Sequence, residues 1–333
     1  MAWLTGWTYR KEITVTNENA DYQTWVLVGK TDDAIGEDVD CNGHVADDFD
    51  DLRFTGADGS TLLDYWIESI VDSGGTKLAT VWVQNNATPD TTLYMYYGGT
   101  ETAVSNGANT FIHFEDFEWG NDGDPLSDSG GSETITATNH GVNGSLVDID
   151  TAQKFGGTRS GRTYRAGTAS CDYSIQSVLH AEDIAVRFRM RTDGTHQNFS
   201  HLHGDGTKAY YLRFRDSPSG LWYYDTDNHY LGAISDNTWA LIECYDFDWT
   251  NHTFDVDLNG ANVGNDLGML TTASYDDDLA FGNGGGTSES WEDDIIVRKW
   301  AATEPSFSFG SEETEPTGII PIIMYHRKRM GVS

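Results

Sequence analysis

Lysine is scarce in this 333-residue chain: seven lysines and thirteen arginines stand against 53 Asp and Glu, leaving a formal net charge of −33. Neutralising phosphates needs a basic face, so nucleic-acid binding through the body of the protein is excluded as an expectation. In dilute salt such a carboxylate surplus repels itself and loosens a compact state. At molar salt the Debye length falls to about 3 Å and the repulsion is screened, so the composition points to a halophilic setting. Cysteine is nearly as scarce: Cys41, Cys171 and Cys244 are too widely spaced for a disulfide framework or a metal-ligand cluster. No stretch reaches the roughly 18 apolar residues of a membrane span, and Ile319 to Tyr325 is far too short. The opening, "MAWLTGWTYRKEITV", enters a strand pattern with no basic segment leading into an apolar one, so no secretory signal is expected in this chain.

What is present is glycine, 36 of it, and the 11 Trp, 16 Tyr and 14 Phe that suit half-buried pleated surfaces joined by turns. "EITVTN", "WVLVG", "DLRFT", "LLDYWIES", "LATVWVQ" and "TLYMYYG" are each strand-length and bounded by turn formers. After the polar stretch "GGTETAVSNGANT" a second β series runs from "FIHFEDFEWG" to "DDIIVRKW". In "DIAVRFRMR" alternation puts Ile184, Val186, Phe188 and Met190 on one face and Arg187, Arg189 and Arg191 on the other. The fold class is all-β, with two β-sandwich, jelly-roll-like domains: residues 1–100, then 101–311, followed by a linker and docking tail at 312–333.

The motifs "WTYRKEITVTN", "FDDLRFTGADGSTLLDYWIES", "VWVQ" and "LYMYYGG" resemble the domain of unknown function 2341 family over about residues 3 to 100. From "FIHFEDF" to "DDIIVRKWAATEPSFSFGSEE" the chain is similar to concanavalin A-like, laminin G-like sandwiches, as found in archaeal virus and surface proteins. That resemblance implies carbohydrate or protein binding by the second domain. It also implies a structural calcium between its terminal strands, held by Glu115, Asp116, Asp293 and Asp294. A second candidate calcium site is read from the residues: Asp38, Asp40 and Asn42 alternate before Gly43, like the first half of an EF-hand loop, although Phe49 stands where a bidentate Glu is needed. An Asp-rich solvated loop is the alternative.

For glycans the candidates are Trp222, Tyr223, Tyr224, His229 and Tyr230, because aromatic rings stack on sugars and neighbouring polar groups bond hydroxyls. Alternation must bury half of these rings. The stretch "KAYYLRF" is a second polar-aromatic candidate, and Arg187, Arg189 and Arg191, with Arg213 and Arg215 nearby, form a basic stripe that either attracts an anionic glycan or pairs across strands with Asp255 or Asp257. The tail carries Ile319, Ile320, Ile322 and Ile323 beside Arg327, Lys328 and Arg329, an exposed apolar and basic segment suited to docking on another protein. Paired acids such as those of "FEDFE" arise readily by chance among so many carboxylates, so no enzyme activity is expected.

These readings combine into one expectation: a non-enzymatic structural or attachment protein of a haloarchaeal virus, a turret, spike or tail fibre. It sits on the virion surface as a homo-oligomer, touches a host glycan or glycoprotein and holds other virion proteins through its tail. A cellular carbohydrate-binding adhesin is the alternative, and a glycoside hydrolase the third reading.

Overall fold

The computed structural model describes residues 2–32, 36–72, 75–100, 104–128, 130–131, 133–167, 170–176, 183–194, 198–204, 207–216, 218–270 and 278–316. The tail residues Ile319, Ile320, Ile322, Ile323, Arg327, Lys328 and Arg329 lie outside the described residues.

Eight strands open the chain: β1 (Trp7–Thr16), β2 (Gln23–Gly29), β3 (Val39–Asp40), β4 (Arg53–Thr55), β5 (Leu62–Leu63), β6 (Tyr65–Asp72), β7 (Lys77–Gln84) and β8 (Thr92–Gly99). Alternation drives their pairing, since Ile13 and Val15 of β1 point inward while Thr14 and Thr16 face out. One sheet runs β3-β2-β7-β6, and β1, β8, β4 and β5 belong to the sheet that faces it. Between them lie Ile13, Val28, Phe49, Phe54, Val81 and Met95, all fully buried.

The second series is β9 (His113–Glu115), β10 (Ile135–Thr138), β11 (Leu146–Asp150), β12 (Ser160–Arg165), β13 (Cys171–Gln176), β14 (Ile184–Thr192), β15 (Asn198–Gly204) and β16 (Thr207–Asp216). It continues with β17 (Ser219–Tyr224), β18 (Asn228–Ala233), β19 (Ala240–Asp248), β20 (Thr253–Leu258), β21 (Ala261–Gly268), β22 (Asp278–Asn283) and β23 (Ser288–Lys299). A seven-stranded sheet, β10-β13-β22-β15-β16-β17-β18, packs on an eight-stranded one, β11-β12-β23-β14-β19-β20-β21, to which β9 adds through β23. Their shared core includes Val147, Tyr173, Phe188, Leu212, Ile242, Phe254 and Phe281. The all-β, two-sandwich expectation therefore describes the molecule.

The last strand, β24 (Ser306–Thr314), leaves the second sandwich and returns to the first, where it pairs antiparallel with β1 and completes the order β24-β1-β8-β4-β5. The expected boundary at residue 311, with a linker from 312, is corrected by this pairing. Its cause is in the sequence "SFSFGSEET": Phe307 and Phe309 alternate and pack against the first core, while Glu313 meets Arg10 at 2.8 Å. Glu312 accepts a 2.8 Å hydrogen bond from the Tyr97 hydroxyl.

The two sandwiches meet face to face. Trp66 and Trp82 of the four-stranded sheet pack with Phe111, Phe114 and Ile296 in a buried cluster, so the molecule is four sheets deep. Trp66 and Phe114 meet edge to face at 4.9 Å, an arrangement that adds to the area buried. No described helix is long and apolar enough to cross a membrane. Cys41, Cys171 and Cys244 are buried free thiols.

Candidate functional site

On the seven-stranded sheet, alternation sorts the aromatic residues of β16, β17 and β18 onto two faces. Tyr210, Leu212, Phe214, Leu221 and Tyr223 turn into the core. Tyr211, Arg213 and Arg215 take the opposite face of β16, and Trp222 and Tyr224 that of β17. Antiparallel register then aligns them, Arg213 opposite Trp222, Trp222 opposite Tyr230, and Tyr224 opposite Asn228. Trp222 and Tyr230 meet edge to face at 5.2 Å, and Tyr211 and Tyr224 at 5.9 Å. The indole N–H of Trp222 donates to the carbonyl of Pro218 at 3.2 Å, which ties the ring to its own turn.

Two arginines thread this face. The Arg213 guanidinium lies 4.1 Å from the centre of the Tyr224 ring and 4.5 Å from that of Tyr211, and its Nη1 donates to Asn228 Oδ1 at 2.9 Å. Arg215 stands 5.3 Å over Trp222. Cation–π contacts of this kind hold a long side chain in one place.

Of the five glycan candidates, the fold gathers Trp222, Tyr224 and Tyr230 and turns two away. Tyr223 is buried and stacks on His229 at 4.8 Å, with its hydroxyl donating to Asp225 at 2.9 Å. Burial, and then this carboxylate acceptor, push the Tyr223 phenol up to about 12. Asp225 accepts from the backbone N–H groups of Asp227 and Thr226 in the β17–β18 turn, which holds its carboxyl well below the usual range. Tyr211, Arg213 and Arg215 complete the face; the sequence had offered "KAYYLRF" as a binding stretch and had set Arg213 and Arg215 near the basic stripe, without joining them to Trp222 and Tyr230. Their signal was the i, i+2, i+4 spacing in "YLRFR", legible only once the register with β17 is known.

The expected basic stripe is dismantled. Arg187 and Arg189 face the first sandwich, where both donate to Glu68 Oε1, Arg187 at 2.9 Å. Neither pairs with Asp255 or Asp257; Asp257 instead accepts from the Tyr245 hydroxyl and Asp255 from the Asp266 backbone N–H. Arg191 donates to Asn237 at 3.2 Å and lies 5.4 Å over Trp291. Arg298 of the same sheet binds Glu243 and Glu304, both at 2.8 Å, and the hydroxyl of Tyr22 across the seam at 3.2 Å.

The acidic clusters resolve into separate engagements. Glu115 accepts from the Phe117 N–H at 2.8 Å and the Trp119 indole at 3.1 Å, and burial raises its pKa to about 7. Burial raises Asp116 as well, while its Oδ1 accepts from the Glu118 N–H at 3.2 Å. Asp293 accepts from the Phe155 N–H at 2.8 Å. Burial, and then the neighbouring Asp294 charge, push its pKa up; Asp294 is pushed up by burial and then by Glu68. Arg189 stands 3.4 Å from Asp294 Oδ2 and 3.6 Å over the Phe155 ring. Among the described residues no three His, Cys, Asp or Glu side chains are arranged to hold a metal. In the other candidate loop, Asp38 caps the Leu27 N–H at 2.8 Å. Asp40 binds Lys11 at 3.2 Å and accepts from the Asn42 N–H at 2.9 Å. Phe49, at the position of the missing Glu, is fully buried in the first core.

The family model described as a domain of unknown function (DUF2341) matches residues 48–124. That segment spans β4 to the loop after β9, and so crosses from the first sandwich into the second. Comparison with curated protein sequences finds no match. Among solved structures the chain is similar to an endo-β-1,4-glucuronan lyase from the fungus Trichoderma reesei at 14% identity, covering 57% of this chain and 95% of that one with a TM-score of 0.39. A sialidase matches at 9% identity over 66% of this chain and 21% of its own, with a TM-score of 0.40. A galectin from Caenorhabditis elegans matches at 13% identity over 41% and 94%, with a TM-score of 0.30. The expectation that the chain is not an enzyme is corrected here, because the solved structures similar to it include a polysaccharide lyase and a sialidase. At these identities and scores the likeness concerns the fold alone, and assigns no reaction to this chain.

Proposed function

We propose that the protein binds an extended glycan on the outward face of β16, β17 and β18. The observation that carries this reading is the alignment of Tyr211, Trp222, Tyr224 and Tyr230 on one face, with Trp222 fixed by its turn. Flat rings at the surface of a sheet offer apolar area to the C–H faces of sugars at little cost in conformational entropy, and Asn228 and Arg213 supply hydrogen-bond donors among them. The rings are half-buried by one another, and Tyr230 is 44% exposed, so they are ordered and yet reachable.

Such a face makes the protein an attachment unit, and display on a virion, which the sequence suggested, belongs to the same proposal. The test is a titration of the full chain with a panel of soluble polysaccharides at molar salt, beside Trp222→Ala and a Trp25→Ala control on the first sandwich. Trp222→Ala is expected to weaken binding at least about tenfold, the loss of roughly 1.4 kcal/mol, while the control binds like the wild type. Equal binding by Trp222→Ala would overturn the reading.

A further inference from the structure

We infer that the glycan taken by this face is anionic, with its acidic groups received by Arg213 and Arg215; the inference rests on the glycan-binding reading above. Its basis is an anomaly of charge. The chain carries 53 acids against 20 bases, so any arginine has acids to spare around it. Arg10, Arg159, Arg162, Arg187, Arg189 and Arg298 each stand within 3.5 Å of a carboxylate oxygen. Among the described residues, Arg213 and Arg215 have no such partner, and neither does Arg191 on the other sheet; what sets Arg213 and Arg215 apart is their place among the aligned rings, which with one amide are their neighbours.

The geometry of Arg213 is specific. Its Nη1 is used by Asn228, while its Nε is buried and bonds to nothing among the described residues. That leaves Nη2 as the donor that a carboxylate or sulfate oxygen can take in a charge-assisted hydrogen bond. Tyr211 and Tyr224 already hold the guanidinium in place, so little side-chain entropy remains to be lost on binding. Arg215 lies two residues along the same strand, roughly 7 Å away, and faces the same side. Two fixed cations at that spacing suit a polymer that repeats its charge, and the rings between them suit its sugar faces.

The body of the protein opposes such a ligand, since a net charge of −33 repels a polyanion at long range. Salt removes that opposition selectively. At molar salt the screening length is about 3 Å, which suppresses repulsion from distant carboxylates while contact pairs at hydrogen-bond distance persist. Discrimination by Arg213 and Arg215 therefore survives in the medium for which the surface is composed.

The experiment titrates the full chain at 2 M NaCl with four probes: a polyuronate, the same polymer after reduction of its carboxyl groups, dextran sulfate and dextran. The polyuronate is expected to bind at least about tenfold more tightly than its reduced form, and Arg213→Gln with Arg215→Gln to abolish that ratio. Trp222→Ala should weaken the charged and the neutral polymer alike. A preference for dextran sulfate over dextran that matches or exceeds the uronate preference assigns the arginine pair to sulfate; the reverse assigns it to uronate. Unchanged melting temperatures of the Gln variants separate loss of selectivity from loss of fold. Equal affinity of the wild type for charged and reduced polymers overturns the anionic preference while leaving glycan binding intact. Failure to bind any of the four overturns both.

Discussion

Glu68 of the first sandwich and Arg187 of the second lie 2.9 Å apart, oxygen to nitrogen, across the seam between them. Glu68 accepts in addition from Arg189 and from the Trp82 indole at 2.9 Å, and Arg187 lies 5.4 Å from the centre of that indole. Burial alone would favour the neutral acid, yet the two guanidiniums hold the Glu68 pKa below its ordinary value. Removing one partner of a buried pair strands the other's charge, so Glu68→Gln is expected to cost about 3–5 kcal/mol by denaturant unfolding. The double variant Glu68→Leu, Arg187→Met is expected to recover part of that loss. A single-variant cost below about 1 kcal/mol would show that the seam is held by its aromatic cluster alone.

Glu292 sets the sign of the pH response. It is fully buried on β23, touched by the Tyr173 hydroxyl at 3.3 Å, and burial raises its pKa to about 8. Between about pH 4.5 and 8 the folded state keeps a proton that the unfolded state has lost, so stability falls as pH rises through that window. Below it both states are protonated and the contribution is fully present. Glu115, Asp293 and Asp294 are raised as well and act in the same direction. Glu292→Gln should flatten the fall in melting temperature between pH 5 and 8, where Glu292 alone contributes a slope of up to about 1.4 kcal/mol per pH unit. An unaltered slope in that variant would exclude Glu292 as its source.

Deletion of residues 306–333 tests the returning strand. It exposes the ladder edge of β1, uncovers the core under Phe307 and Phe309, and leaves Arg10 without Glu313. An open, long edge is a template for pairing with other chains. The shortened protein is expected to aggregate or to lose more than about 3 kcal/mol, whereas removal of residues 317–333 leaves the melting temperature unchanged. Soluble, equally stable protein after the longer deletion would contradict the role given to β24.

Salt should govern stability through the carboxylate surplus. Lowering NaCl from molar to 0.1 M lengthens the Debye length from about 3 to 10 Å and restores repulsion among the 53 acids. A large drop in melting temperature is expected, measured at fixed pH by scanning calorimetry. A midpoint that does not move would remove the halophilic reading of the composition.

Strand positions and the two-sandwich architecture were legible because alternation is a local signal, as in "DIAVRFRMR". What lay beyond reach depends on register and on partners distant in sequence. Arg187 was seen to face away from the core, but its partner Glu68 is 119 residues away in another sheet. Ser306–Thr314 had a strand's alternation, yet nothing local says that it pairs with β1, some 300 residues earlier. In the site, the spacing of Trp222 and Tyr230 was visible, and alternation foretold that half of those rings would be buried; only register showed that Tyr223 and His229 form the turned-away pair. Arg213 and Arg215 became notable for the partners they lack, a property of three dimensions.

The β1–β24 pairing also determines how the protein carries a mechanical load. Tyr9 sits opposite Thr314 and Thr16 opposite Ser306, so the free ends of both strands lie at the same end of the ladder. A pull applied between residues before Trp7 and residues after Thr314 opens that ladder one rung at a time, as a zipper, instead of shearing its bonds together. The second sandwich, entered after β8 and left before β24, lies outside the line of tension until the last rung parts. A tether attached beyond Thr314 would thus lengthen at low force while the face of β16, β17 and β18 remains undisturbed.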